Sequence, residues 1–394
     1  MSAPERYHAF DALRASAMLL GVFFHASLAY VEPVQPYWIV QDANRSLAFG
    51  AFAWASHSFR MQTFFAMSGF FARLLCQRRG ARAFARHRTL RILLPFTVGV
   101  ALDNLIQQSF LSWAHASSLF TPHALEMATI AGETLSPASY VRNFRLGVYW
   151  FLEYLAVLSL VVWLCSFWRP PTDPPEGRSP SLTRLLGSRS RAFLLALPHA
   201  ALLWPMEPWG VGSPTGLLPE LSWLAYYGLF FAFGWFLHLH RDQLTDLVSG
   251  WRRDLTLAAP VGAAALAGAV AGSSGWLPES SRGVVLWLTA SFTWLMVLGL
   301  TGLFLQVFNR DRAWVRYLSD ASYWFYLTHD YWVQGMQILL FPFALPSLFK
   351  YVFVLSIAGI LLLFTYEFGV RYTAVGAALH GWKHRPGPSF DEAR

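Results

Sequence analysis

Arg14 and His25 lie eleven residues apart in the first long apolar segment of this 394-residue chain. Eleven residues are about three turns of α-helix, so the two side chains share nearly one face and differ in height by roughly 16 Å. Asp11 lies three residues before Arg14, which is close enough for an ion pair on a helix. A neutral imidazole can accept a hydroxyl proton or attack a carbonyl carbon. The pattern predicts that His25 does chemistry above the Asp11–Arg14 pair, with a structural hydrogen bond between helices as the alternative.

A second apolar segment carries His57, Arg60 and Ser68. We expect His57 and Arg60 near its outer end, at about the height of His25. Arg60 either extends its charge to the outer interface or binds an anionic or carbonyl oxygen group. Ser68 precedes Gly69, and small residues of this kind either permit tight helix packing or line a substrate site.

Further polar residues interrupt the later apolar segments. Each ionisable group costs about 2.5–3.5 kcal/mol if it faces lipid, so such residues should face the protein interior or a wet cavity. Asn104, Glu153 and His329 are therefore predicted, with His57, Arg60 and Ser68, to contact substrate. A structural role for His329 is equally open. The sequence carries no metal-binding or nucleotide-binding motif, so no metal and no permanently bound cofactor are predicted.

The composition indicates an integral membrane protein. Hydrophobic residues make up 55% of the chain and charged residues only 13%, against about 25% charged in soluble domains. A membrane-spanning helix needs about 20 mostly apolar residues. We therefore predict an all-α, polytopic protein whose partner is the lipid bilayer, with about ten transmembrane helices near residues 11–31, 56–76, 91–113, 147–168, 192–206, 221–240, 255–272, 284–307, 319–341 and 350–372.

The arginines predict the orientation of these helices. Every second predicted loop is basic, as in 78–91, 169–191, 241–253 and 310–316, whereas the alternate loops carry few positive charges. Basic loops face the cytoplasm, so both chain termini are predicted to be cytoplasmic. This topology explains the net charge of +8 without nucleic-acid binding. We expect a transmembrane domain over 1–372 and a short cytoplasmic tail over 373–394; the oligomeric state is not predicted.

Three patches of the chain resemble the membrane acyltransferase-3 family. They are the run from Arg6 through Arg14 to His25, the run from His57 to Phe71, and the run from Ser322 to His329. The sequence Ser-Phe-Arg-Met-Gln in the second patch is similar to that of the glucan biosynthesis protein C subgroup. This subgroup is implicated in succinylating osmoregulated periplasmic glucans. The resemblance implies that His25 is the catalytic histidine and that Arg14 is the family's signature arginine. Thr328-His329-Asp330-Tyr331 departs from the family, because many relatives have a proline soon after the histidine.

The resemblance implies transfer of an acyl group from acyl-coenzyme A to a sugar hydroxyl in the bacterial inner membrane. Succinyl-coenzyme A or acetyl-coenzyme A would be the co-substrate, and a periplasmic glucan or other envelope glycan the acceptor. Arginine suits phosphate binding, so the coenzyme is expected at Arg78, Arg82, Arg88 and Arg91. Direct transfer and an acyl-histidine intermediate both remain open. The alternatives are O-acetylation of lipopolysaccharide or another envelope polysaccharide, a transporter of anionic metabolites and a structural subunit of a glycan assembly complex.

Overall fold

The computed structural model describes residues 7–33, 38–116, 140–141, 144–168, 180–206, 209–214 and 216–383. Within these ranges the backbone is helical apart from turns, short loops and an isolated parallel bridge between Val31 and Ser46. The α-helices are α1 (His8–Ser27), α2 (Leu47–Arg88), α3 (Leu94–Ala116), α4 (Trp150–Trp168), α5 (Pro180–Gly187), α6 (Arg191–Leu203), α7 (Leu221–Leu239), α8 (Leu244–Ser273), α9 (Arg282–Val307), α10 (Ala313–Leu340), α11 (Ser347–Thr365) and α12 (Ala374–His380).

Every predicted membrane segment coincides with one of these helices, so the all-α class is confirmed over the described residues. Six helical stretches there are long and apolar enough to cross a membrane. One of the six runs continuously from Leu47 to Phe110 and contains two predicted segments. Among the helices outside the six, α6 is short, α7 is rich in tyrosine and tryptophan, and α10 carries many polar residues. The number of ten crossings and the cytoplasmic location of both termini stay predictions.

The predicted basic loop between the second and third segments is itself helical. The chain bends at Gly80, where φ is +75°, and then continues as helix to Arg88 and through a π-helical turn at Thr89–Leu93 into α3. Glycine adopts positive φ without a steric penalty, so it supplies the bend. The expected loop was therefore wrong in conformation: the arginines from 81 to 88 lie along a helical segment.

Helices α1 and α10 run parallel, and two sets of polar contacts join them. Arg14 on α1 meets Ser319 on α10, and His25 on α1 meets Asp330 on α10. Each helix advances by eleven residues between these contacts, which is roughly 16 Å. Two parallel helices begin on the same side of the bundle. The predicted topology requires this of α1 and α10, because they are the first and ninth predicted membrane segments.

Helices α2 and α7 cross at very short range. A methyl group added at Gly69 would overlap the carbonyl of Phe231, and one added at Gly234 would overlap the carbonyl of Ala66. Only glycine permits the two backbones to approach so closely, as small residues often do between membrane helices. Gly69 thus has the packing role that was one of two interpretations of the Ser68–Gly69 pair.

Residues 38–46, called the outer loop after their predicted side of the membrane, are fastened to the bundle by a buried ion pair. Lys350 Nζ, at the start of α11, lies 2.6 Å from Asp42 Oδ2, and the exposed fractions of the two side chains are 3% and 4%. Asp42 also accepts a hydrogen bond from the backbone N–H of Asn44, while its own N–H donates to Ala29. These contacts hold residues 38–46 over the ends of α1 and α11.

Candidate functional site

Of the two contact sets between α1 and α10, the one nearer the start of both helices, called the lower set, contains the predicted Asp11–Arg14 ion pair. Arg14 Nη2 lies 3.3 Å from Asp11 Oδ1 and donates to the Ser319 hydroxyl at 2.5 Å and to the Ser319 carbonyl at 3.3 Å. The Ser319 hydroxyl in turn donates to Asp11. The Arg14 side chain stays 43% exposed, so its guanidinium remains accessible to a ligand. The predicted ion pair is confirmed, and α10 completes it.

The upper set places His25 against a carboxylate. His25 Nδ1 lies 3.5 Å from Asp330 Oδ1, and the exposed fractions of the two side chains are 14% and 7%. The other oxygen, Asp330 Oδ2, accepts hydrogen bonds from the amides of Gln107 at 2.8 Å and Gln334 at 2.7 Å. Two amides on α3 and α10 therefore fix the carboxylate and leave Oδ1 directed to the histidine.

The outer loop covers this histidine. The ring of Trp38 lies 5.4 Å from the His25 ring, centroid to centroid, and its indole N–H donates to Gln337 Oε1 at 2.8 Å. The Gln337 amide donates to the carbonyl of Ala26, the residue after His25. Gln337 thus connects the end of α1, the outer loop and α10, which holds the His25 backbone in place.

Three histidines share this region, and the hydrogen bonds distinguish them. His329 Nδ1 lies 2.9 Å and 3.0 Å from the carbonyls of Phe325 and Tyr326, so it carries the proton and leaves Nε2 as an acceptor. His57 Nε2 lies 3.0 Å from the carbonyl of Gly212, which leaves Nδ1 as its acceptor. In the described part of the chain, His25 alone of the three has a ring nitrogen within 4.0 Å of a carboxylate oxygen. A carboxylate stabilises an imidazolium more than a neutral carbonyl does, so the geometry favours His25 as the base.

Arg60 is a buried cation beside these histidines. Its side chain is 7% exposed, and its guanidinium carbon lies 4.7 Å above the ring of Phe24. It is close enough to interact electrostatically with His25, His57 and His329. No carboxylate of the described residues lies within 4.0 Å of it. Arg60 is therefore enclosed by protein rather than extended to the outer interface, and no carboxylate of the described residues neutralises its charge.

The remaining predicted contacts have varied surroundings. Asn104 exchanges hydrogen bonds with the backbone of Arg145 in both directions, so it holds the segment before α4. Glu153 is 8% exposed, and its Oε2 makes no hydrogen bond to a described residue. Ser68 is partly buried beside the α2–α7 crossing. Contact of these three residues with substrate stays a prediction.

The arginines predicted to bind the coenzyme follow α2 beyond the close crossing. Arg78 and Arg82 are exposed. Arg88 packs its guanidinium over the ring of Phe84 at 5.2 Å. Arg91 donates to the carbonyl of Leu379 at 2.6 Å, near the end of α12, where a cation is favoured by the helix dipole. Arg78 and Arg82 are therefore more exposed than Arg88 and Arg91.

Sequence analysis did not identify Ser319, Gln107 or Asp330 as site residues. Each was visible as a polar residue in an apolar segment, and Asp330 directly follows the predicted His329. The missing information was the register of α3 and α10 against α1. A search for polar residues with the same eleven-residue spacing as Arg14 and His25 finds Ser319 and Asp330 on α10.

Comparisons with known proteins agree with this architecture. The profile of the acyltransferase-3 family, described as an acyltransferase domain, matches residues 7–366. Glucans biosynthesis protein C of Salmonella gallinarum is 27% identical over 335 residues, covering 83% of this chain and 82% of that protein. The Salmonella paratyphi B protein of the same name is 28% identical over 338 residues with the same coverage. The Escherichia coli O6:K15:H31 protein of that name is 32% identical over 164 residues, covering 41% of this chain and 39% of that protein.

No solved structure matches the chain. The family match extends from the start of α1 to the end of α11 and so includes both contact sets between α1 and α10. The apolar helices and this match support a multi-pass membrane protein with acyltransferase activity. The chain belongs to the acyltransferase-3 family.

Proposed function

We propose that this protein is an O-acyltransferase of the bacterial inner membrane that moves an acyl group, preferentially succinyl, from cytoplasmic acyl-coenzyme A to hydroxyl groups of a periplasmic glucan. The observation that carries the proposal is the paired arrangement of Arg14–Ser319 and His25–Asp330 on two parallel helices. It provides a partly exposed cation at one height and a buried base roughly 16 Å above it. A long, thin donor can occupy that distance with its thioester near His25.

The reaction follows from the protonation of His25. With Nδ1–H directed at Asp330, the lone pair on Nε2 accepts the proton of the acceptor hydroxyl. The hydroxyl oxygen attacks the thioester carbonyl carbon, a C–O bond forms and the C–S bond breaks. The imidazolium returns its proton to the departing thiolate, which leaves as the free thiol of coenzyme A. Attack by His25 itself would give an acyl-histidine that the hydroxyl then resolves.

The charge of Arg60 favours an acyl group that ends in a carboxylate over one without a charge. A succinyl group brings such a charge close to the thioester, and burial of that charge is costly without a cationic partner. Arg60 is buried beside His25 and is not neutralised by a carboxylate of the described residues. An acetyl group has no charge to match it. The names of the relatives refer to glucan biosynthesis, which supports a glucan as the acceptor.

The donor and the acceptor would approach from opposite sides. Arg78, Arg82, Arg88 and Arg91 would bind the phosphates of the coenzyme at the cytoplasmic side, with bidentate contacts that suit guanidinium groups. Asp11 would hold Arg14 next to the pantetheine arm of the donor, which would extend from there to His25. The glycan would enter from the periplasm, past Trp38, so acyl groups would cross the membrane during transfer.

Label transfer by the purified protein tests the proposal. Wild type and His25→Ala, reconstituted in lipid nanodiscs, would receive radiolabelled succinyl-coenzyme A or acetyl-coenzyme A together with purified periplasmic glucan. We expect wild type to label the glucan, with succinyl preferred, and His25→Ala to insert normally but transfer no label.

Absence of both transfer and donor hydrolysis in wild type would contradict the enzymatic function. Wild-type turnover by His25→Ala would contradict the assignment of the base. Preference for acetyl-coenzyme A would favour the acetyltransferase alternative instead.

A further inference from the structure

Among the described residues, the Asp330 carboxylate lies within ion-pair distance of the proposed base. Its Oδ1 lies at an ion-pair distance of 3.5 Å from His25 Nδ1 and makes no hydrogen bond to a described residue. Its Oδ2 is occupied by the two amides of Gln107 and Gln334. A carboxylate bound in this way cannot rotate freely, because rotation would break two hydrogen bonds at 2.8 Å and 2.7 Å. Asp330 therefore presents one fixed acceptor to one ring nitrogen.

The neighbouring histidine provides an internal comparison. His329 lies with its ring centroid 4.9 Å from that of His25, at an angle of 80° between the rings. Backbone carbonyls fix its Nδ1–H and therefore its tautomer. Both histidines thus have an oxygen atom near Nδ1, yet the oxygen beside His25 belongs to a charged carboxylate and those beside His329 belong to neutral carbonyls. A charged partner also stabilises the protonated ring, which forms only during the reaction.

We infer that Asp330 is a positioning residue for the transfer reaction: it selects the His25 tautomer with Nδ1 protonated and stabilises the imidazolium formed when Nε2 accepts the acceptor's proton. This inference rests on the proposed function and adds a residue to it. The proton stays on Nδ1 throughout, and Asp330 remains ionised. Gln107 and Gln334 keep the carboxylate directed at His25, so a residue from α3 also contributes to the geometry of a site formed by α1 and α10.

The variant Asp330→Asn changes the hydrogen-bonding partner of His25 while it keeps the packing around residue 330. The substituted side chain has almost the same shape, but its amide can donate to His25 Nδ1 and so stabilise the wrong tautomer. In a serine protease triad the corresponding change lowers kcat by about 10⁴-fold, and we expect roughly a 10²- to 10⁴-fold loss of kcat here with little change in the KM for the donor. Asp330→Glu keeps the charge and should recover part of that loss.

A double-mutant cycle with His25→Ala distinguishes positioning from a structural role. If Asp330 acts through His25, adding Asp330→Asn to the His25→Ala variant, which transfers no label, should leave its residual donor hydrolysis unchanged. The matched control is Asp254→Asn on α8. That carboxylate is also buried, but its partners are Arg191 and Arg253 rather than His25. We expect its kcat to stay within about threefold of wild type.

The measurement is the initial rate of label transfer from radiolabelled succinyl-coenzyme A to periplasmic glucan in nanodiscs, with thermal unfolding of each variant recorded alongside. Absence of transfer by wild type would refute the proposed function rather than the role of Asp330. If wild type transfers label, Asp330→Asn activity within threefold of wild type would overturn the inference. A loss of donor hydrolysis from Asp330→Asn that is equal in the wild-type and His25→Ala backgrounds would also overturn it.

Discussion

Arg60 offers the sharpest test of acyl-group selection. Arg60→Gln removes the charge while keeping a side chain that can still pack beside Phe24. Arg60 as a whole residue is 7% exposed, and its guanidinium has no carboxylate of the described residues within 4.0 Å, so a bound carboxylate would be its direct partner. A hydrogen bond to a charged group contributes about 1.5–3 kcal/mol, which corresponds to roughly 10- to 150-fold in kcat/KM. We expect that loss for succinyl-coenzyme A and little loss for acetyl-coenzyme A.

The assay is the ratio of kcat/KM values for the two donors with the same glucan acceptor. Arg45→Gln is the matched control, because Arg45 is an exposed arginine whose Nε lies 2.9 Å from Glu32 on the outer loop. Its ratio should equal that of wild type. An equal loss with both donors would refute selection by Arg60 and would assign the guanidinium to the oxyanion that both reactions form. An unchanged ratio at full activity would exclude Arg60 from both roles.

Two further predictions concern the two ends of the bundle. Replacing Arg88 and Arg91 together by Gln should weaken binding of coenzyme A, and the loss should shrink at high salt because dissolved ions screen the attraction between arginine and phosphate. Donor affinity would be titrated at 20 and 500 mM salt, and an unchanged affinity at low salt would contradict this prediction. Lys350→Met leaves the Asp42 carboxylate buried and unpaired, which should destabilise the fold by about 3–5 kcal/mol. Thermal unfolding should show much of that loss recovered when Asp42→Asn is added, and equal unfolding temperatures for wild type and Lys350→Met would refute the reasoning.

The local features of the site could be predicted from the sequence. The distance between Arg14 and His25 follows from helix geometry alone, and the Asp11–Arg14 pair follows from a three-residue spacing. The helical class followed from the length and apolarity of the segments. These inferences use contacts within one helix, where sequence separation translates directly into distance.

Contacts between helices could not be predicted in the same way. Arg14 and Ser319 are 305 residues apart in sequence, and their contact depends on the packing of the whole bundle. Asp330 was visible as a charged residue in an apolar segment, but its partner depends on the rotation of α10 against α1. The bend at Gly80 also escaped prediction, because a run of arginines is typical of a loop and the helical continuation is set by packing of the flanking helices.

The central claim is that a single bundle transfers an acyl group from a cytoplasmic donor to an acceptor on the opposite side through His25. The most direct test uses inside-out membrane vesicles that contain wild type or His25→Ala, with radiolabelled succinyl-coenzyme A outside and glucan either sealed in the lumen or added outside. We predict that wild type labels the glucan in the lumen and that His25→Ala labels neither pool. Label confined to the glucan outside, on the same side as the donor, would contradict the account.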